Sequence, residues 1–197
     1  MRKPLMSVSM FRRIGVAFAL LIALGIGVSA QGQSAGHAII GEVRKVDREA
    51  GKIVVKTADG TEETLKFTER TTVHGLKEGG KVTALAGREG SHVVVHYVGE
   101  GAEKTAVGIE YVGKEAPRVI EGTVVGAGKM ARTVVVKTPA GAEETLHLTE
   151  RCMVDTGKGV VKGTEYTARE GERVTAHYSE AGGRKFVHLL KRVGKAL

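Results

Sequence analysis

The sequence predicts an all-β protein built from two small antiparallel barrels in tandem, and three observations carry that prediction. Residues 40–113 and 121–194 are two copies of one unit: a shift of 81 positions aligns them without a gap, with 29 of 74 positions identical. IVVKTADGTEETLKFTER (Ile53 to Arg70) lies over VVVKTPAGAEETLHLTER (Val134 to Arg151), and REGSHVVVHY (Arg88 to Tyr97) over REGERVTAHY (Arg169 to Tyr178). A repeat of this kind fixes the domain organisation before any finer reading. Secondly, the long stretches are rich in Val, Thr and Gly and alternate in polarity; β-branched residues suit a pleated, half-buried surface. Thirdly, Cys152 is the single cysteine, so no internal disulfide staples the fold and each copy must stand on its own small core.

Residues 1–30 read as a signal peptide rather than as part of the fold. Arg2, Lys3, Arg12 and Arg13 form a basic start without an acidic residue, Ile14 to Val28 is an apolar run, and Val28-Ser29-Ala30 fits a small-x-small cleavage site. The apolar run is shorter than the roughly 20 residues of a transmembrane helix. The expectation is export to a bacterial periplasm or beyond, with Gln31 as the new N-terminus; a retained membrane anchor is the alternative.

The elements follow in order. Residues 31–37 are a flexible leader. The first barrel spans 38–113, with strands at Ala38–Arg48, Lys52–Ala58, Thr61–Thr68, Thr72–Leu76, Ser91–Val98 and Lys104–Val112. Asp59-Gly60 is expected to make a tight hairpin turn, because both residues tolerate positive φ; Pro139-Ala140-Gly141 occupies that turn in the second copy. In Ser91–Val98, Val93, Val95 and Tyr97 point one way and His92, Val94 and His96 the other. The face that stays apolar in both copies (Val174, Ala176 and Tyr178 in the second) is the expected interior, leaving His96 and His177 to solvent. Residues 114–117 link the copies, the second barrel spans 118–194, and the basic tail after Val193 reads as frayed. Closing each small sheet on itself removes its exposed edges.

The motif G-x-V-x-x-V-D at Gly41–Asp47, the Asp59-Gly60 hairpin, E-G-x-x-V-x-x-H-Y ending at Tyr97, and a closing strand ending in Val resemble small exported bacterial OB-like barrel domains. The resemblance covers nearly all of the chain after the leader, twice. A more distant similarity is to the periplasmic copper- and silver-binding barrels of metal-efflux systems. Those carry Met, His and Trp ligands on the barrel face; this chain has no Trp, and its only methionines after residue 30 are Met130 and Met153. The resemblance implies tandem OB-like barrels and, for most such domains, no assigned activity.

Candidate chemistry is sparse. His96-Tyr97 and His177-Tyr178 recur, but strand neighbours face opposite ways, and His92 and His96 lie about 13 Å apart along a strand, too far for one metal ion. Glu62-Glu63 and Glu143-Glu144 recur without the spacing of a calcium loop; they are expected to pair across the hairpin with Lys56 or Lys137. Thr68-Glu69-Arg70 and Thr149-Glu150-Arg151 read as structural corners, with Thr satisfying the local backbone and Glu pairing with Arg; a docking surface presented once by each barrel is the alternative, and recurrence by duplication does not discriminate between them. No phosphate loop, nucleophile elbow, zinc motif or CxxC occurs, and no cofactor is implied. Aromatic residues are few; Tyr111 and Tyr166 are the two expected to be exposed, so a nucleic-acid stacking platform is not predicted.

Charge is uneven. The net charge of +8 falls to +4 without the four cations of residues 1–30; residues 31–115 carry 12 basic and 13 acidic side chains, and residues 116–197 carry 14 and 9. Only the second copy is a candidate anion-binding surface, through Arg169, Arg173, Arg184, Lys185, Lys191 and Arg192, with Lys195 beyond them. The expected role is a non-catalytic exported binding or adaptor module of the cell envelope, partnered by an envelope protein or an anionic envelope polymer and not by nucleic acid. A periplasmic metal carrier is the alternative.

Overall fold

The computed structural model describes residues 36–76, 80–128, 130 and 132–195. The expected signal peptide, its cleavage site and residues 31–35 of the leader lie outside the described residues.

The described chain is all-β. The first copy contributes β1 (His37–Asp47), β2 (Lys52–Thr57), β3 (Glu62–Lys66), β4 (Thr72–His74), β5 (Gly80–Lys81), β6 (His92–Val98) and β7 (Thr105–Gly113). The second contributes β8 (Arg118–Gly128), β9 (Thr133–Lys137), β10 (Glu143–Asp155), β11 (Val160–Lys162), β12 (Glu172–Ala181) and β13 (Arg184–Lys195). Strand order β3-β2-β1-β6-β7 closes through a β3–β7 pairing, and order β10-β13-β12-β8-β9 closes through β10–β9, so each copy is a closed ring. Two short 3-10 turns, Val82–Leu85 and Gly101–Glu103, complete the first copy.

Each ring has its own core. Val43, Ile53, Val55, Leu65, Val93 and Ile109 anchor the first, and Val124, Val136, Leu146, Val154, Val174 and Leu190 the second. Gly41 and Gly122 are required by close packing: a Cβ at either would meet the carbonyl oxygen of Lys56 at 2.3 Å or of Lys137 at 2.4 Å. The register shifts between Val43 and Lys45 and between Val124 and Gly126, so each long first strand bends just beyond that glycine.

Several sequence expectations need correction. Only Gly60 (φ 88°) takes positive φ in the first hairpin, as does Gly141 (φ 86°) in the second. The turn is Thr57-to-Gly60, with Gly60 N donating to Thr57 O and Thr57 N to Thr61 O. This is a type I turn closed by a glycine bulge, and Asp59 serves it by accepting from Thr57 Oγ1 and Thr61 N. β13 runs through Lys195, so Gly194 and Lys195 are strand rather than frayed tail. Tyr111 and Tyr166 are not exposed: each packs against its barrel core, and Tyr166 Oη donates to Glu172 Oε2.

Glu62 and Glu143 lie directly opposite Lys56 and Lys137 across the hairpins, as expected, but Glu63 and Glu144 do not pair with those lysines. They take Lys104 and Lys185 on the closing strands, each at 2.6 Å. Each lysine also lies over a tyrosine ring, Lys104 over Tyr97 at 5.5 Å and Lys185 over Tyr178 at 6.0 Å. The same Glu–Lys–Tyr trio therefore fastens both rings where the third and last strands meet, and the carboxylate holds each ammonium above its ordinary pKa.

Candidate functional site

Alternation along the strands decides what lies between the copies. On β7, Ile109 and Tyr111 face the first core, so Gly108, Glu110 and Val112 face outward. On β6, Val94 and His96 share that outward side, as Ala38 and Ile40 do on β1. On β10, Cys152 and Val154 face the second core and Arg151, Met153 and Asp155 face outward. These two outward faces meet. Ala38, Ile40, Val94 and Leu189 form a buried apolar cluster with Val112, Met153 and Val160 against it. The face expected to be open to water is therefore covered, and His96 and His177 are half-buried. Desolvation lowers the pKa of both, and that of His177 falls to about 4, with Lys191 and His188 nearby adding to the shift.

Polar contacts flank this seam. Ala38 N donates to Asp155 Oδ2 at 3.1 Å, and His37 Nδ1 lies 3.8 Å from the same oxygen. Arg151 Nε lies 2.9 Å from Glu110 Oε1. Arg151 thus pairs across the seam rather than with Glu150, which meets Arg132. Glu110 is only 4% exposed. Its Oε1 has the cation close by but receives no aligned hydrogen bond. Desolvation raises the Glu110 pKa to about 7 despite the opposing pull of Arg151.

Beside this ion pair the copies leave a cleft of about 700 Å³. Thr72, His74, His96 and Val107 wall it from the first copy, and Met153 and Lys162 from the second. Its surface mixes apolar groups with both signs of charge, which suits an amphipathic ligand. Among the described residues, no cluster of three His, Cys, Asp or Glu side chains is placed to hold a metal ion. Cys152 is buried in the second core, and desolvation pushes its thiol up to about 12.

The six basic residues singled out in the second copy are not one surface. Lys185 is committed to Glu144, and Arg192 to Glu172 at 3.3 Å. Arg184 sits at the β12–β13 hairpin, opposite Ala181, whereas Arg192 pairs in register with Val174 at the other end of the strands. That separates them by about 26 Å at the usual strand rise. Lys191 is half-buried; Arg169 and Arg173 remain exposed. Sequence reasoning missed Glu110, and it singled out Arg151 only as part of the Thr149-Glu150-Arg151 corner with the wrong partner. Both lie at positions that differ in partner between copies, and nothing local marks a strand residue as covered by another barrel.

No protein-family profile and no curated protein matches the chain. Among solved structures, the chain resembles the silver-bound crystal structure of CusF at 18% identity and a TM-score of 0.29, over 39% of this chain and 97% of that one. The silver complex of CusF from Escherichia coli gives 18% identity and a TM-score of 0.30, over 41% of this chain and 96% of that one. The chain is weakly similar to these metal-binding barrels.

Proposed function

We propose that this protein is a non-catalytic binding module of the bacterial cell envelope, exported through residues 1–30, which holds its ligand in the cleft between its two barrels. The observation that carries the reading is Glu110: a carboxylate 4% exposed, with an oxygen lacking an aligned hydrogen bond, on a cleft walled by both copies. Buried polar atoms are normally satisfied, and an exception at a cleft is a place for a ligand group. Cys152 is buried with its thiol pushed up to about 12, so this side chain is not offered as a nucleophile.

The test is an amide-shift screen of the protein against fractionated envelope extract, beside a Val107→Trp variant. Val107 is 45% exposed at the cleft mouth, so the larger ring obstructs entry without entering a core. Shifts clustered at His74, His96 and Lys162 in the parent, and lost in the variant, are expected. Shifts elsewhere, or turnover of any fraction, would overturn the reading. Native mass spectrometry with Cu(I), Zn²⁺ and Ca²⁺ covers the metal-carrier alternative; stoichiometric binding at micromolar affinity would replace the proposal. Export is checked by intact mass of protein recovered from the periplasm, expected to begin at Gln31.

A further inference from the structure

In register across the first sheet, Val94, Glu110 and His74 form one outward row, and His96, Gly108 and Thr72 form the next. Gly108 leaves a gap in the second row: beyond its own chain neighbours, a Cβ placed there would meet nothing nearer than Thr72 Oγ1, at 4.0 Å. The gap opens into the cleft between the barrels, where Val107, Met153, Val160 and Val161 supply apolar surface. Gly108 and Glu110 are alternate residues of β7, so the gap lies beside the buried carboxylate on one face of the sheet.

That carboxylate is incompletely compensated. Arg151 is its one ion-pair partner among the described residues, and the arginine side chain is 57% exposed against 5% for the glutamate. The cation keeps much of its water while the anion has given up most of its own. An ionised carboxylate so placed needs aligned hydrogen bonds, and Oε1 has none. The other ionisable groups around the cleft are His74 on β4, His96 on β6, Glu150 on β10, Lys162 on β11 and Glu165 after it. With Glu110 they set three carboxylates against two permanent cations, Arg151 and Lys162. Burial holds His96 below its ordinary pKa, and so uncharged at pH 8.

We propose that the cleft takes a small molecule with a protonated amine on an apolar chain, the ammonium donating to Glu110 and the chain lying over Gly108. This rests on the cleft being where the protein holds its ligand, and adds the class of that ligand. An ammonium is compact and carries three donors that turn freely, so it can align on an oxygen that the planar guanidinium meets off-axis. A carboxylate or phosphate head group would instead face the carboxylates of Glu110, Glu150 and Glu165. An uncharged chain would cover the apolar walls and leave Oε1 without its bond.

The probe is n-hexylamine, titrated to millimolar concentration into the whole protein at pH 8, above the raised pKa of Glu110 of about 7, while amide shifts are followed. Hexanoate and hexanol are titrated in parallel. Hexylamine is expected to shift the amides of His74, His96, Gly108 and Lys162, and the other two to bind at least tenfold more weakly. Glu110→Gln should weaken hexylamine at least tenfold and leave hexanol unchanged. Lowering the pH to 6 should weaken hexylamine several-fold in the parent, as the carboxyl takes up its proton, and by less in Glu110→Gln. The comparison of three head groups on the parent stands even if Glu110→Gln alters folding. No shift at millimolar hexylamine would overturn the amine assignment. Hexanoate or hexanol binding there as tightly would also overturn it, with the cleft still the ligand site. Shifts confined to residues outside the cleft would overturn both.

Discussion

Glu110 and Arg151 sit at one side of the seam, and their chemistry ties the pairing of the barrels to pH. The carboxyl is raised from 4.5 to about 7, so the folded protein holds a proton there that the unfolded chain has already lost. That contribution to stability is complete below about pH 4.5 and is lost as pH rises through about 7, with a ceiling on the order of 3 kcal/mol. His177 acts in the opposite sense: kept neutral by burial, its contribution is present above pH 6.5 and is lost as pH falls through about 4. Comparison of the parent with Glu110→Gln isolates the carboxyl. In urea unfolding, the variant is expected to gain on the parent between pH 5.5 and pH 8; a constant difference would mean that Glu110 titrates near its ordinary value. Cys152 gives a second residue-scale prediction. At 1% exposure and with its thiol raised, it should resist iodoacetamide in the native state and react on unfolding. Rapid native labelling would place the thiol at the surface instead.

At the scale of elements, the repeated Glu–Lys–Tyr trio explains why the closing strands hold. Tyr178 is 8% exposed and packed in the second core, whereas Tyr97 is only partly covered against the first. Tyr178→Ala is therefore expected to cost about 3–4 kcal/mol and Tyr97→Ala clearly less, measured by denaturant unfolding. Equal costs would show that the tyrosine is worth the same at both sites whatever its burial. The strand pattern was legible in the sequence because alternation is a local property: Val93, Val95 and Tyr97 declare one face without knowledge of anything distant. The partner of Glu63 was not legible, because Lys104 lies 41 positions away and reaches it only after the ring closes. The hairpin was half legible: Gly60 takes the conformation expected of it, while Asp59 caps the turn with its side chain instead of bending its own backbone.

At the scale of the molecule, the repeat made the existence of two cores readable and concealed the seam between them. An 81-residue shift draws attention to what the copies share, yet part of the seam is built from what they do not. Glu110 stands where the second copy has Lys191, Gly108 where it has Leu189, and His74 where it has Asp155. Such differences look like drift until the two faces are laid together. With separate cores, a fragment of residues 37–115 is expected to fold with a β-type circular dichroism spectrum and a cooperative transition. Its stability should be lower than that of the first barrel in the whole chain, because Ala38, Ile40 and Val94 lose their cover. A disordered fragment would make the first core dependent on its neighbour.

The bond from Ala38 N to Asp155 Oδ2 also has a mechanical meaning. The second residue of the first strand is held by the last residue of β10, on the opposite barrel. Tension entering the folded region through the residues before His37 would reach this inter-barrel bond before it had stripped β1 from β6. A protein held at a surface by its leading segment would thus feel a pull as a load shared between the edge of its first ring, where His37 pairs with Tyr97, and the joint between its halves.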